Sequence, residues 1–131
     1  IRRKAKGELK NIIYAGYIDN SKNAIKAVDV VINLSLFAES FGWTILEAMA
    51  GARVTVCYHH GALIELAEKD HSGYLVEYND LDEFEMALCK LDVDRELALE
   101  MGLNGRSIAK EKYSNDVFST LLEDLYLRLL S

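Results

Sequence analysis

Residues 28–57, VDVVINLSLFAESFGWTILEAMAGARVTVC, decide the fold of this chain. Val28 to Leu34 is a β-branched run between polar residues, a pattern typical of a strand that is covered on both faces. Gly42 to Ala50 has the composition of a helix, and Gly51 is placed to end it. Arg53 to Cys57 repeats the pattern of a buried strand. A strand, a helix and a second strand in this order predict one unit of a parallel sheet.

The same alternation continues on both sides of this unit. Short apolar runs predict further strands at residues 11–16 and 73–76. Helical spacing predicts helices at residues 21–27, with Ser21 as the N-cap, and at residues 62–69. The loops that follow the strands are then residues 16–20, 35–41 and 57–61.

From residue 80 onward only helical periodicity remains. The apolar faces are formed by Leu81, Phe84, Leu88 and Leu91, by Leu97, Met101 and Ile108, and by Phe118, Leu121, Leu122, Leu125 and Leu129. The last set predicts either core or a surface that docks another domain. We therefore predict one α/β domain over residues 1–131, a Rossmann-like three-layer parallel sheet with helices on both faces and a helical C-terminal end.

Composition excludes several classes of protein. The 131 residues carry 21 acidic and 15 basic side chains, and this net charge of -6 argues against a nucleic-acid or anionic-membrane surface. All apolar runs are shorter than the ~20 residues that cross a bilayer. Two isolated cysteines, Cys57 and Cys89, favour a reducing compartment such as the cytoplasm. Because residue 1 is Ile, we expect a piece of a longer chain, with the basic segment 1–7 solvated.

Two glutamates mark the candidate site. In α/β folds ligands bind outside the carboxyl ends of the strands, where the loop of residues 35–41 lies. Glu39 belongs to this loop, and Glu47 is the one charge of the following helix. The first-turn N–H groups, about Phe41 to Thr44, have no intrahelical acceptor and form a ready anion site. A phosphate there would lie between the two carboxylates, with Glu47 suited to ribose hydroxyls; the alternative is that Glu47 simply faces water.

Six motifs in chain order resemble one known family. Glu39 to Gly51 resembles the E-x7-E signature of the group 1 (GT4-type) retaining glycosyltransferases, which have the GT-B fold. Weaker similarities to family motifs occur at Tyr14–Ile18, Ala27–Ser35 ("ADVFVLPS"), Gly61–Glu65 ("GGxPE"), Gly73–Val76 ("NGxLV") and Met101–Arg106 with Lys112–Ser114 ("MGxxGR…FSW"). Each motif alone is weak, but their shared order over residues 12–130 makes the resemblance specific.

The resemblance implies a function and a set of site residues. The chain would be the nucleotide-sugar-binding C-terminal domain of an enzyme that transfers a sugar from a nucleoside diphosphate to an acceptor with retention. Glu39 would be the catalytic carboxylate beside the donor sugar, and Glu47 would hold the ribose. The donor would also contact Ser40, Phe41, Gly42, Trp43 and Thr44, and its base would lie at Gly16, Tyr17 and Ile18. No metal ion or other cofactor is implied.

The resemblance also implies partners outside this chain. An acceptor-binding N-terminal domain and the Arg and Lys that neutralise the diphosphate would lie upstream of residue 1. We therefore expect the isolated chain not to catalyse transfer. The full-length enzyme would be cytoplasmic, and peripheral association with the inner face of the membrane is compatible with this family.

Departures from the family pattern keep two alternatives open. Leu34, Arg53 and Ile64 stand where the family usually has Pro, and Ala62 replaces the second Gly of its motif. A non-catalytic nucleotide-binding or scaffolding module is one alternative, and another GT-B enzyme such as a nucleotide-sugar epimerase is the second. A metal site is disfavoured, because the spacing of Cys57, His59, His60 and His71 matches no zinc motif.

Overall fold

The computed structural model describes residues 11–130. Three parallel strands form one sheet in the order β1-β2-β3. The register places Val30 beside Val54 and Thr55 beside Gly73. The strands are β1 (Val30–Asn33), β2 (Val54–Tyr58) and β3 (Gly73–Val76). The prediction for the basic segment 1–7 lies outside the described residues.

Six helices accompany the strands in this part of the chain. They are α1 (Ser21–Lys26), α2 (Trp43–Ala50), α3 (Leu63–Leu66), α4 (Leu81–Val93), α5 (Arg95–Tyr113) and α6 (Asn115–Leu130). Side-chain caps set several of their N-termini, because Asp80 accepts hydrogen bonds at the start of α4 and Asp94 accepts one at the start of α5. Gly51 follows the last residue of α2, as its position predicts.

Two hydrophobic cores lie on opposite faces of the sheet. Side chains alternate along β2, so Cys57 joins one core while Val56 and Tyr58 join the other. The first core packs α2, α3 and the C-terminal half of α5 against the sheet. The second packs α4 and the N-terminal half of α5 against the opposite face. The predicted α/β architecture, with helices on both faces of a parallel sheet, is confirmed.

Three local predictions are wrong. Residues 11–16 form no strand and are exposed; β1 is the edge strand of the described sheet, but these residues do not add to it. The N-cap of α1 is Asn20, whose side chain accepts from Lys22 N–H, so Ser21 is the first helical residue. The helix predicted at residues 62–69 stops at Leu66, since Ala67 is extended and the Glu68 N–H donates its hydrogen bond to the Ser72 hydroxyl.

Helix α6 buries none of its residues. Its apolar stripe is exposed, including Phe118 at 65% and Leu129 at 72%. The expectation that the stripe belongs to the core of this domain is therefore wrong, and the docking surface remains the prediction for it. No helix within residues 11–130 is long and apolar enough to span a membrane.

Helix α5 passes from one core to the other beside the start of β2. At this crossing Gly102 approaches the backbone so closely that an added Cβ would lie 2.4 Å from the Ala52 carbonyl oxygen. One turn further on, a Cβ at Gly105 would lie 3.3 Å from Met49 Cγ, the nearest heavy atom, in a flexible side chain. The first contact can be relieved only by moving backbone.

We expect Gly102→Ala to lower the free energy of unfolding by about 1–3 kcal/mol, the usual cost of overpacking a core. The gain of about 1 kcal/mol from replacing a helical glycine is then outweighed. Gly105→Ala is the matched control, because its neighbour can move aside and the helical gain remains. Urea unfolding of both variants measures the difference, and equal midpoints would contradict the proposed close approach.

Candidate functional site

A carboxylate is held where β1 ends. Asn33, the last residue of β1, donates a hydrogen bond from Nδ2 to Glu39 Oε1 at 2.8 Å. The Asn33 Oδ1 atom accepts from the Ser35 N–H at 3.0 Å, which starts the turn that returns the chain toward the sheet. Glu39 therefore lies at the carboxyl end of the sheet, the edge where the sequence predicts a ligand.

The loop after β2 holds the backbone of the same residue. The Ala62 N–H donates to the Glu39 carbonyl at 3.0 Å. Gly61 has a φ of +57°, and a Cβ there would lie 2.9 Å from both the backbone N and O of Glu39. The loops that follow β1 and β2 can lie this close only with glycine at position 61.

The Cys57 thiol lies in the first core beneath this carboxylate. Cys57 is fully buried. Burial, and secondarily the negative charge of Glu39, raise the pKa of the Cys57 thiol to about 12. A neutral thiol is thus held in the core next to an acidic loop, and its titration reports on Glu39.

We expect the pKa of Cys57 to make the protein less stable in alkali. An unfolded thiol ionises near pH 9, and the native one only near 12, so between these values the unfolded chain binds fewer protons. Stability then falls as pH rises through this range, by up to ~1.4 kcal/mol for each pH unit. Burial also raises the pKa of Tyr74 and adds a slope of the same sign.

The contribution of Cys57 to the pH dependence of stability is measured as the difference between wild type and a variant without the thiol. Urea unfolding of wild type and Cys57→Ala between pH 8 and 11 should show a shallower fall in the variant. Cys89→Ala, which changes an exposed cysteine, is the control and should keep the wild-type slope. Parallel curves for wild type and Cys57→Ala would mean that the buried thiol does not titrate as described.

Aromatic side chains link the loops at the same edge of the sheet. The Tyr78 ring lies 5.4 Å from that of Tyr58 and 5.1 Å from that of His60. The Tyr78 hydroxyl donates to the Leu36 carbonyl at 3.4 Å, so the loop after β3 reaches the loop after β1. His59 points to Glu77, with Nδ1 and Oε1 3.6 Å apart. The three strand-end loops are thereby tied together.

Helix α2 begins beside Glu39. Its N-cap, Gly42, has a φ of +88°, and a Cβ there would lie 2.5 Å from Leu63 Cδ2 and 3.9 Å from Glu39 Oε2. The N–H groups of Trp43 and Thr44 have no acceptor within the described residues, whereas those of the next two residues bond to the Gly42 carbonyl. This helix start offers two free N–H donors at the edge where ligands bind.

The side chains at this helix start differ in exposure. Phe41 is half-buried, with its ring 4.7 Å from that of Trp43 and 6.2 Å from that of Tyr113 in an edge-to-face arrangement. Trp43 itself is 67% exposed, and Ser40 and Thr44 are exposed as well. The exposed Trp43 ring is therefore available to a ligand, while Phe41 anchors the loop to α5.

Glu47 lies on the exposed side of α2. Together with Thr44 it borders a cavity of about 360 Å³ between α1, β1 and α2. On its other side it borders cavities of about 320 and 720 Å³, both also lined by Lys22 and Arg106. None of Glu47, Lys22 and Arg106 forms an ion pair within residues 11–130. Lys22 and Arg106 thus border two of the cavities that Glu47 borders, whereas Glu39 borders none of the three.

The segment predicted to contact the base lies in the open. Gly16 has a φ of +78° with no atom within 4 Å of an added Cβ, and Tyr17 is 90% exposed. Ile18 is 45% exposed. None of the three borders a cavity that Glu47 borders. The role of these residues in binding a base remains a prediction.

Sequence reasoning missed several residues of this site. Asn33 lies inside the β-branched run of residues 28–34 and receives no role from the pattern, although an amide at the carboxyl end of a strand is itself a signal. Tyr78 and Lys22 belong to no motif, and Arg106 ends the Met101–Arg106 motif without being assigned to the site, because these residues reach it from other elements. No group of three His, Cys, Asp or Glu residues that could hold a metal ion occurs among the described residues.

Several known proteins are similar to this chain in sequence and in fold. A family model described as "Glycosyl transferases group 1" matches residues 1–94. The chain is 28% identical over 119 residues to N-acetyl-alpha-D-glucosaminyl L-malate synthase of Bacillus anthracis, which covers 91% of this chain and 31% of that protein. This chain therefore spans less than a third of the length of that curated relative.

Solved structures of group 1 glycosyl transferases and related proteins are similar to this chain as well. The C-terminal domain of a group 1 family glycosyl transferase (LpcC) from Francisella tularensis has a TM-score of 0.75 and 32% identity, covering 87% of this chain and 60% of that one. Anabaena Alr3699/HepE, in complex with UDP and glucose, has a TM-score of 0.85 and 22% identity, covering 95% and 35%. With its architecture and its family match in agreement, this chain belongs to the group 1 glycosyl transferases.

Proposed function

We propose that this chain binds a nucleoside-diphosphate sugar and that the longer enzyme containing it transfers the sugar to an acceptor with retention. The observation that carries the proposal is the arrangement at the start of α2. Glu39 is fixed beside this helix start, two free N–H donors lie at it, and Glu47 lies one turn further along the same helix, where it borders a cavity with Thr44. Such an arrangement suits a sugar, a diphosphate and a ribose in sequence.

Charge supports the same assignment. The N–H groups of Trp43 and Thr44 can bind phosphate oxygens, and the positive end of the helix favours an anion there. Glu47 can accept hydrogen bonds from two ribose hydroxyls. Lys22 and Arg106 border the cavities beside Glu47 and attract an anionic nucleotide to this side of the domain. The likeness to a fold solved with UDP and glucose makes UDP the first nucleotide to test.

The remaining parts of the reaction are assigned to the longer enzyme. We place acceptor binding, and the cations that neutralise the leaving diphosphate, in an N-terminal domain of the same chain. The reaction is assigned without a metal ion, because N–H donors and cations supply the charge stabilisation. We place the full-length enzyme in the cytoplasm, where Cys57 and Cys89 stay reduced. This location includes the inner face of the membrane.

Calorimetric titration of this chain with UDP tests the proposal. We expect weak binding, in the high micromolar range or about 5–6 kcal/mol, because only half of the site is present. We also expect no sugar transfer from UDP-sugars by the isolated chain, whereas the full-length enzyme should transfer one. A domain that binds no nucleoside diphosphate at millimolar concentration would overturn the proposal.

A further inference from the structure

The Asn33 side chain has only one orientation that satisfies both of its hydrogen bonds. Its oxygen accepts from the Ser35 N–H at 3.0 Å, so its amide nitrogen must face the Glu39 carboxylate, which it meets at 2.8 Å. Rotating the amide by 180° would bring an oxygen against a carboxylate and an N–H against an N–H. The turn after β1 therefore fixes which end of Asn33 meets Glu39.

Glu39 is held at its backbone as well. The Ala62 N–H binds its carbonyl, and the absence of a side chain at Gly61 lets the two loops meet at backbone distance. With the backbone and Oε1 both hydrogen-bonded, the second carboxylate oxygen is restricted to few positions. This oxygen, Oε2, lies 3.9 Å from the Cβ position of Gly42, at the start of α2.

We propose that Asn33 is a positioning residue that holds the Glu39 carboxylate with one oxygen bound and the other facing the donor sugar. This role rests on the proposed function. Asn33 does not contact the donor; it acts by limiting the orientations of a charge that has to lie beside the reacting carbon. A charge-assisted hydrogen bond from a neutral amide suits this task, because it orients the carboxylate and leaves it ionised.

Asn33→Asp separates this role from a structural one. The new side chain has the same shape and keeps an oxygen for the Ser35 N–H, but it presents a second carboxylate oxygen to Glu39 instead of a donor. In the full-length enzyme we expect kcat to fall about tenfold, with KM for the nucleotide sugar and binding of UDP unchanged. Asn104→Asp is the control, because Asn104 donates its amide to the His71 carbonyl, outside the site, and this change should leave kcat as it is.

The pH profile gives a second readout. Two carboxyl groups in contact share a proton as the pH is lowered. When the introduced carboxyl group holds this proton, its O–H donates to Glu39 the hydrogen bond that the amide donated before, and Glu39 stays ionised. The kcat of Asn33→Asp relative to wild type should therefore rise as the pH falls from 8 to 5. Among the other titratable groups, the Cys57 thiol of β2 interacts electrostatically with Glu39, and His59, His60 and Glu65 follow it in the loop after β2 and in α3. Taking the ratio to wild type at each pH cancels their common contribution.

The outcomes are distinguishable. A lowered kcat that recovers in acid supports the proposal. A wild-type kcat in Asn33→Asp at neutral pH overturns it, and so does an equal loss of UDP binding and kcat at every pH, which a general disturbance of the loop would give. If the wild-type full-length enzyme transfers no sugar, the proposed function itself has failed and this role fails with it.

Discussion

Glu39→Gln should lower the rate of sugar transfer by the full-length enzyme about 100-fold or more. The substitution keeps the shape of the side chain and an oxygen that can accept from Asn33, but it removes the charge. A negative charge beside the oxocarbenium-like centre stabilises the transition state more than the bound substrate, so its loss appears in kcat. Single electrostatic groups of this kind contribute about 10²–10³ to kcat.

Binding of UDP should remain nearly unchanged in this variant, because the proposed function places Glu39 beside the sugar, beyond the phosphates. Loss of the charge should also lower the pKa of Cys57, which Glu39 helps to raise, and urea unfolding checks separately that the variant is folded. Glu100→Gln is the control, an exposed glutamate of α5 that should keep the wild-type rate. Transfer at the wild-type rate by Glu39→Gln would remove Glu39 from the catalytic role.

The sequence predicted the parts of this fold that are determined locally. The β-branched run predicts β1 and the apolar run predicts β2. β2 is fully buried, but β1 is only half-buried, with Ile32 45% exposed, so the predicted cover on both faces of β1 is not found within the described residues. Gly51 follows the last residue of α2, as predicted. These signals are short in range, so one sequence is enough to predict them. The placement of Glu39 at the carboxyl end of the sheet follows from the same pattern, because parallel strands end at one edge.

The contacts that build the site could not be predicted in this way. Gly61 meets Glu39, and Tyr78 reaches the Leu36 carbonyl, across more than twenty residues of chain. Which loops touch depends on strand order and on the packing of α3, and neither is encoded by a local pattern. The apolar stripe of α6 shows the same limit: periodicity identifies the apolar face of a helix, but it does not identify what covers that face.

Residues 11–16 illustrate a related limit. Their composition is that of a strand, yet strand formation requires a partner with free N–H and carbonyl groups. The edge strand β1 offers such groups in the described sheet, but these residues do not lie along it and are exposed. A strand-like composition therefore indicates only that a segment is able to form a strand. Whether it does so depends on where the rest of the fold places a partner strand.

Glu47→Ala should weaken the binding of UDP to this chain about tenfold or more. If Glu47 holds the ribose hydroxyls, every nucleotide ligand loses hydrogen bonds to a charged acceptor, each worth about 1.5–3 kcal/mol. The loss should be the same for UDP and for a UDP-sugar, because the ribose is common to both. Glu47 is exposed and follows the first turn of α2, so we expect its truncation to leave the start of the helix intact.

Calorimetric titration of three proteins with UDP decides the assignment. Glu100→Ala, which truncates an exposed helical glutamate on α5, controls for loss of negative charge and should bind as wild type does. Removing a negative charge near Lys22 and Arg106 by itself favours an anionic ligand, so this electrostatic effect opposes the predicted loss. Tighter or unchanged binding in Glu47→Ala would therefore show that Glu47 only balances these cations, and the ribose would have to be held by other residues.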